Sequence, residues 1–459
     1  MKIIFNIFAF FFSPTLFAQV TETPKPVPLF PKESNVGFLG NSITHHGIYH
    51  EYIHLFNLTR YPYSPYNHIN YGIGGDRATD GINRWVSNVS SDELAMVTVM
   101  FGMNDIERGL YTNNYDNNNW SEKQSRIDLY AEQMDSLLYL IKKSRTMCIL
   151  LTPSMYEQNA KINDKLNYGV NDGLGILADL VFDLGKKYDM PVVDFYHNMT
   201  SFANRVQSVD TSFSLINSDR VHPWYPGHFF MAYTFLKSQE HSPFVSKIVI
   251  DANKLTGDCQ NCKLSKVSFE ENIEFNVHSF SLPFPVDSKV KKIRSMIPFD
   301  EELNQEILIV DGLDPGNYDL YIDDQLIQSE LTSFQLQNGI NLEGLETPQH
   351  KQSQELLQLN RRLAKTVSDS LRAIKWIEYK NLRELQAPYD MKEVERLFKK
   401  HQEKIRGQSH FPWVKRKQEQ YLVIKSMESE IINRADEIRK KLWRINQAVE
   451  HTYSLVKKR

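Results

Sequence analysis

The sequence predicts an α/β fold: a parallel sheet covered by helices on both faces, extended by a β-rich segment and then by a charged helical one. Three observations point there. Up to about Leu236, short apolar runs alternate with longer amphipathic stretches, the pattern of strand–helix–strand crossovers in a buried parallel sheet. Near Ile248 the helical periods vanish, and from about Thr347 the chain becomes charged and helical. A length of 459 residues, 41% hydrophobic and 24% charged, fits an ordinary globular chain of two or three domains.

The first residues read as a signal peptide over 1–18. Lys2 gives a positive start, Ile3 to Phe12 is apolar apart from Asn6, and Ala18 stands at the expected cleavage point. The run is too short to cross a bilayer and Pro14 interrupts it. No later segment is apolar enough to do so, and a secreted or periplasmic protein without a transmembrane segment is expected. Residues 19–32 read as a Pro-rich leader.

The α/β segment spans 33–247. Val36 to Leu39 is predicted as a buried strand, Gly47 to Arg60 as a helix, Ile69 to Tyr71 as a weaker strand and Ala95 to Phe101 as a strong one. Ser121 to Lys143 carries Leu129, Met134, Leu137, Leu138 and Ile141 at helical spacing. Thr146 to Thr152 follows as a strand, Asn171 to Tyr188 as a helix, Pro191 to Phe195 as a strand and Pro226 to Lys237 as a helix. Residues 248–345 read as a β-rich accessory module, with strands at Ile307 to Val310 and Tyr318 to Ile322 joined by a turn cluster at Gly312 to Gly316. In the charged region 346–459, long helices are predicted at Gln349 to Glu384 and Tyr421 to Val456, and a shorter one at Met391 to Ile405.

The net charge of -3 names no partner, and no nucleic acid is expected. The balance is uneven: residues 346–459 hold 26 Lys+Arg against 15 Asp+Glu, a net of +11, which leaves -14 on the rest. The plainer reading is a basic helical surface that partly docks on an acidic catalytic domain; the sharper one is a contact for an anionic polymer. Of three cysteines, Cys259 and Cys262 form a lone CxxC. That is a poor zinc signal, and in an oxidising compartment the pair is open to a local disulfide. Cys148 lies in an apolar run and reads as core.

Four short constellations carry chemistry. Phe38-Leu-Gly-Asn-Ser-Ile-Thr44 puts Ser42 on a turn after the first strand, where nucleophiles sit in α/β folds. It lacks the second glycine of a GxSxG elbow. Ile69-Asn-Tyr-Gly-Ile-Gly-Gly-Asp76 is a Gly-rich turn whose backbone N–H groups can face a ligand. Phe101-Gly-Met-Asn-Asp105 offers Asn104 as a side-chain donor after a strong strand, and Asp219-Arg-Val-His-Pro223 can pair Asp219 with His222.

Together and in this order, the four segments resemble the four signature blocks of the SGNH (GDSL-type) hydrolase superfamily. The resemblance covers roughly Val36 to Ala232. It implies a flavodoxin-like three-layer α/β/α sandwich. It implies a Ser-His-Asp triad of Ser42, His222 and Asp219. It implies an oxyanion hole from the backbone N–H groups of Ser42 and Gly75 with the Asn104 side chain. No metal or organic cofactor is implied. One position departs: the family's first block usually has Asp before the serine, and here it is Asn41.

The expected reaction is hydrolysis of a small-molecule or polysaccharide ester through an acyl-enzyme, with an acetylated carbohydrate as the favoured substrate. A lipase or thioesterase of the same fold and a non-catalytic glycan-binding protein are the alternatives. Trp85, Trp120 and Trp224 lie near the blocks, where they line a sugar subsite or simply pack. A remote alternative is a zinc protease, because His50-Glu-Tyr-Ile-His54 is a literal HExxH on a predicted helix. The longer metzincin form fails at Asn57 and Arg60. The four blocks are complete by His222, so the second half is expected to add no triad member and to matter mainly for large substrates.

Overall fold

The computed structural model describes residues 25–111, 119–162 and 165–458; residues 1–18, expected from the sequence to be a signal peptide, lie outside them. The first half runs β1 (Asn35–Gly40), α1 (Ser42–His46), α2 (Ile48–Arg60), β2 (Asn67–Gly72), α3 (Ala78–Arg84), β3 (Leu94–Met100), α4 (Trp120–Lys143), β4 (Met147–Leu151), α5 (Val170–Tyr188), β5 (Val192–Val193), α6 (Phe195–Gln207) and α7 (Tyr225–Lys237). The five strands form one parallel sheet in the order β2-β1-β3-β4-β5, the flavodoxin order. Phe38 of β1 packs into a core with Ile53 of α2 and Phe229 of α7. Its neighbour Leu39 packs into a second core with Leu137 of α4 and Leu177 of α5. A strand buried on both faces must be apolar throughout, which is why these strands read as continuous runs.

The predicted helices and strands of this half lie within a few residues of their observed bounds. The fifth predicted strand is the shortest in the sheet, because Asp194 ends it by accepting from the His197 amide and starting α6, a helix that the sequence pattern did not announce. The described part of the leader is packed. Val27 and Phe30 are buried, the Val27 amide donates to Ser238 O (3.1 Å), and Gln239 Nε2 donates to Pro28 O (2.8 Å).

The second half opens with β6 (Phe244–Asp251), β7 (Thr256–Gln260), β8 (Cys262–Phe269) and β9 (Ile273–Ser279). It continues through α8 (Lys291–Arg294), α9 (Phe299–Leu303), β10 (Gln305–Asp311), β11 (Asn317–Ile322), β12 (Gln325–Thr332), α10 (Ser333–Asn338) and β13 (Ile340–Asn341). Then come α11 (Pro348–Thr366), a π turn at Val367–Leu371, α12 (Arg372–Asn381), α13 (Met391–Lys404), α14 (Phe411–Lys425), α15 (Glu428–Ile445) and β14 (Glu450–Lys457). One sheet is β13-β10-β6-β7 and the other β12-β11-β14-β9-β8. They share a core that includes Ile248, Phe275, Leu308, Leu320 and Leu455.

The helix predicted from Tyr421 to Val456 is therefore corrected. It is two helices and a strand, and β14 fills the gap between β9 and β11, antiparallel to both. The physical reason is a period of two at the end of the chain: His451, Tyr453 and Leu455 point inward while Glu450 and Thr452 point out. The helices between β13 and β14 thus form an arm whose two ends are both held by the β-sandwich. Its α11 and α15 bury Leu356, Leu363, Ile438 and Leu442 in the same core as α2 and α7. Its α12, α13 and α14 share a small core of their own, including Ile374, Ile377, Phe398 and Tyr421. All three cysteines carry free thiols, and Cys259 Sγ donates to the Cys262 carbonyl at 2.8 Å.

Two stability predictions arise here. Leu455 sits between Ile273 and Leu320 with 1% of its surface exposed; Leu455→Ala is expected to cost about 2–5 kcal/mol in urea unfolding. Glu306 of β10 is buried, and that burial pushes its pKa up to about 8. A carboxyl raised in the folded state contributes stability below its unfolded pKa of about 4.3, and that contribution is lost as pH rises through 8. Glu306→Gln is expected to flatten the fall in melting temperature between pH 5 and pH 9.

Candidate active site

Ser42 is the first residue of α1, at the carboxyl end of β1, beside the β1/β3 point where the strand order reverses. Crevices in open α/β sheets form there. Asn41 caps the helix, its Oδ1 accepting from the Ile43 amide at 3.0 Å. The residue that departs from the family's usual aspartate is thus a helix cap. Gly72 ends β2 against this turn; a Cβ on it would lie 2.1 Å from the His45 amide nitrogen, so only glycine permits the approach.

Asp219 and His222 share one turn. Asp219 Oδ1 accepts from the Val221 and His222 amides, both at 3.0 Å, and Oδ2 meets His222 Nδ1 at 2.5 Å. His222 Nε2 lies 2.8 Å from Ser42 Oγ. Arg220 stands between them at φ 62°, and its buried guanidinium donates to the carbonyls of Glu157 (3.0 Å) and Ile162 (2.8 Å). That anchors the turn from behind. Burial works to raise the Asp219 carboxyl, but the hydrogen bonds from His222 and from the two amides outweigh it and hold the group well below the usual carboxylate range. The His46 ring lies 5.2 Å from that of His222, and burial lowers its pKa to about 4, so it brings no positive charge beside the imidazole at neutral pH.

The second and third blocks meet behind Ser42. Asn104 Nδ2 donates to Asp76 O at 2.9 Å, leaving its second N–H for the crevice. Asp105 ties the blocks together, with Oδ1 accepting from the Ala78 amide (2.8 Å) and Oδ2 from the Gly102 amide (2.9 Å). Burial pushes its pKa up to about 6. Gly75 sits at φ 83° with open space where a Cβ would point. Ser42, Gly75, Asn104 and His222 all line one cavity of about 870 Å³.

The arm supplies the rest of that cavity's wall, including Trp376, Trp413 and Lys417. The two indoles meet edge to face, 5.1 Å apart. Sequence reasoning missed these residues; the one available signal was an aromatic residue inside an otherwise charged helix. Trp85 is buried in the sheet's second core, and Trp120 and Trp224 are exposed. None of the three is among the cavity-lining residues.

The HExxH helix is α2, and both of its histidines are buried. His50 Nε2 bonds Thr44 O (3.0 Å) and its Nδ1 meets His68 Nε2 (2.7 Å), while His54 Nδ1 meets the Tyr66 hydroxyl (3.0 Å). Burial pushes both histidines down to about 3. The rings serve as neutral hydrogen-bonding core groups with different partners. Among the described residues no cluster of three His, Cys, Asp or Glu side chains is placed to hold a metal.

Residues 38–228 match the model of the GDSL-like Lipase/Acylhydrolase family. No functionally curated protein matches the chain. Among solved structures, the gut microbial diltiazem-metabolizing enzyme BT4096 is 27% identical, with a TM-score of 0.83 over 95% of this chain and 100% of that one. Axe2, an acetylxylan esterase from Geobacillus stearothermophilus, is 23% identical over 46% of this chain and 96% of its own, with a TM-score of 0.38. LAE5, an α/β hydrolase enzyme from the metagenome of Lake Arreo, Spain, is 22% identical over 46% and 96%, with a TM-score of 0.37.

The hydrogen bonding of α2 makes a prediction about metal. Purified protein is expected to hold far less than one zinc per chain by elemental analysis, and a chelator is expected to leave its melting temperature unchanged. One tightly held zinc, with a fall in melting temperature on chelation, would restore the HExxH reading.

Proposed function

We propose that the chain is a carboxylic ester hydrolase whose residues 38–228 form a GDSL-type domain, and that it works through an acyl-enzyme on Ser42, with His222 as base and Asp219 as the group that orients it. The observation that carries this is the unbroken hydrogen-bond chain from Asp219 through His222 to Ser42, with links of 2.5 and 2.8 Å, opening into the 870 Å³ cavity.

In this reading Ser42 Oγ attacks the ester carbonyl as His222 Nε2 takes its proton. The ionised Asp219 stabilises the imidazolium and fixes its tautomer. Negative charge on the carbonyl oxygen is met by the backbone N–H groups of Ser42 and Gly75 and by the second Asn104 N–H. His222 then protonates the leaving alcohol, and water repeats the sequence on the acyl-enzyme.

The substrate we favour is a short-chain ester, acetate first, of a ring-bearing alcohol, with acetylated carbohydrates as the natural class. Support comes from the size of the cavity and from Trp376 and Trp413 on its wall, because flat aromatic faces suit rings. The likeness to a diltiazem-metabolizing enzyme makes drug-sized esters a second class for the same cavity. Among the described residues no helix is long and apolar enough to cross a membrane. Export through residues 1–18 completes the proposal, and a mature chain beginning at Gln19 in N-terminal sequencing would support it.

Kinetics on a small activated acetate ester test the site. Ser42→Ala is expected to abolish turnover, by about 10⁴-fold or more. His222→Ala should be nearly as severe and Asp219→Ala milder. Asn104→Ala is expected to lower kcat about 100- to 1000-fold with little change in KM. A wild-type rate in Ser42→Ala would remove Ser42 as nucleophile.

A further inference from the structure

One face of α12 lies along the Gly-rich loop that follows β2. Arg372, Trp376 and Lys380 touch it at a spacing of one helical turn, so a single face meets the loop in order, and Arg383, just past the end of α12, reaches α3. Arg372, buried, donates to the Gly72 carbonyl. Trp376 Nε1 donates to the Gly74 carbonyl at 3.2 Å. Lys380 Nζ lies 2.7 Å from Asp76 Oδ1, and Arg383 Nη2 lies 3.3 Å from Asp80 Oδ1. Behind the loop, Arg84 Nε meets the other Asp76 oxygen at 2.7 Å, and Arg84 Nη2 donates to Gly40 O at 3.2 Å, two residues before Ser42.

The Trp376 contact is the informative one. The Gly74 carbonyl and the Gly75 N–H belong to one peptide group, and in a planar trans peptide the two point in opposite directions. Holding the carbonyl toward α12 therefore turns the N–H away from α12. A Gly–Gly peptide has no Cβ on either side to resist rotation, and Gly75 already sits at φ 83°. The loop alone does little to keep this peptide from flipping, and the indole hydrogen bond supplies the constraint. A hydrogen bond accepted by the carbonyl also polarises the peptide and strengthens its N–H as a donor.

We propose that Trp376 is a positioning residue for hydrolysis: from the helical arm it fixes the orientation of the Gly74–Gly75 peptide, whose N–H serves the oxyanion, with Lys380 and Arg372 anchoring the loop on either side. This rests on the reading of Gly75 as an oxyanion donor. It makes the arm part of the catalytic centre, so that hydrolysis depends on it whatever the size of the substrate. That is the opposite of what the position of the blocks in the sequence suggests.

The test is Trp376→Phe in the full-length protein. Phenylalanine keeps an aromatic face in the cavity and removes only the Nε1 donor. On a small activated acetate ester, kcat is expected to fall about 10- to 100-fold with KM nearly unchanged, the scale of a displaced rather than deleted catalytic group. The same fold-loss is expected on a bulky ring-bearing acetate. Lys380→Met should lower kcat in the same way, and Lys380→Arg should keep most of it. A wild-type kcat in Trp376→Phe on the small ester, or a loss confined to KM of the bulky ester, would overturn the proposal and leave Trp376 as a wall residue. Ser42→Ala and Asn104→Ala, assayed alongside, separate the two failures. If they abolish and lower kcat while Trp376→Phe does not, the arm's role falls and the serine hydrolase reading stands. If Ser42→Ala keeps its rate, the site reading itself falls.

Discussion

Asp76 has no exposed surface, and its two carboxylate oxygens meet Arg84 and Lys380 at 2.7 Å each. Burial pushes its pKa up and pushes that of Arg84 down, and the two opposed charges work against both shifts. Removing water from a charge is costly, and a buried ion pair that loses one partner destabilises a protein by about 3–5 kcal/mol. Arg84 belongs to the α/β half and Lys380 to the arm. The carboxylate between them is therefore best satisfied only when the two halves are docked in this register. The Gly-rich loop, the turn before Ser42 and α12 all take their places around that group.

The β-sandwich makes the docking durable. The arm leaves after β13 and returns at β14, and β14 is a central strand paired on both sides. Both ends of a hundred-residue excursion are thus held by one sandwich core. Its α11 and α15 also lie in the same apolar core as α2 and α7. An element tethered once could swing clear of the cavity. One tethered twice and packed along its length must give up buried apolar surface to do so.

Much of the site was legible because its parts are local. Each block follows directly on a strand whose apolar run is unmistakable, and Asp219 and His222 lie in a single turn. Asn41 caps α1 by accepting from the Ile43 amide, so the turn before Ser42 is held despite the departure there. What the sequence concealed is non-local. The hydrogen bond from Trp376 joins residues 302 positions apart, and no window of periodicity contains both ends. The strand β14 was hidden by its setting, since a single strand of eight residues is a faint signal after charged helices. Helix α6 escaped because its start depends on one capping side chain, Asp194, directly after the last strand of the sheet.

The uneven charge of the chain now has a structural meaning. Residues 346–459 carry the surplus of +11 and the rest carries -14. Three of the ion pairs across the junction run in that sense: Lys380 to Asp76, Arg383 to Asp80, and Arg361 to the buried Asp287. Basic side chains of the arm are spent on docking, which is the plainer reading of the surplus. Lys417 differs, because it lines the cavity beside Trp413 and makes no ion pair among the described residues. The arm thus uses Lys380 and Arg383 to hold the Gly-rich loop and α3, and leaves Lys417 on the cavity wall. On the proposed reading, in which nucleophile, base and oxyanion donors all come from the α/β half, such an arm adds both a constraint on the Gly74–Gly75 peptide and a charged, aromatic wall to the cavity.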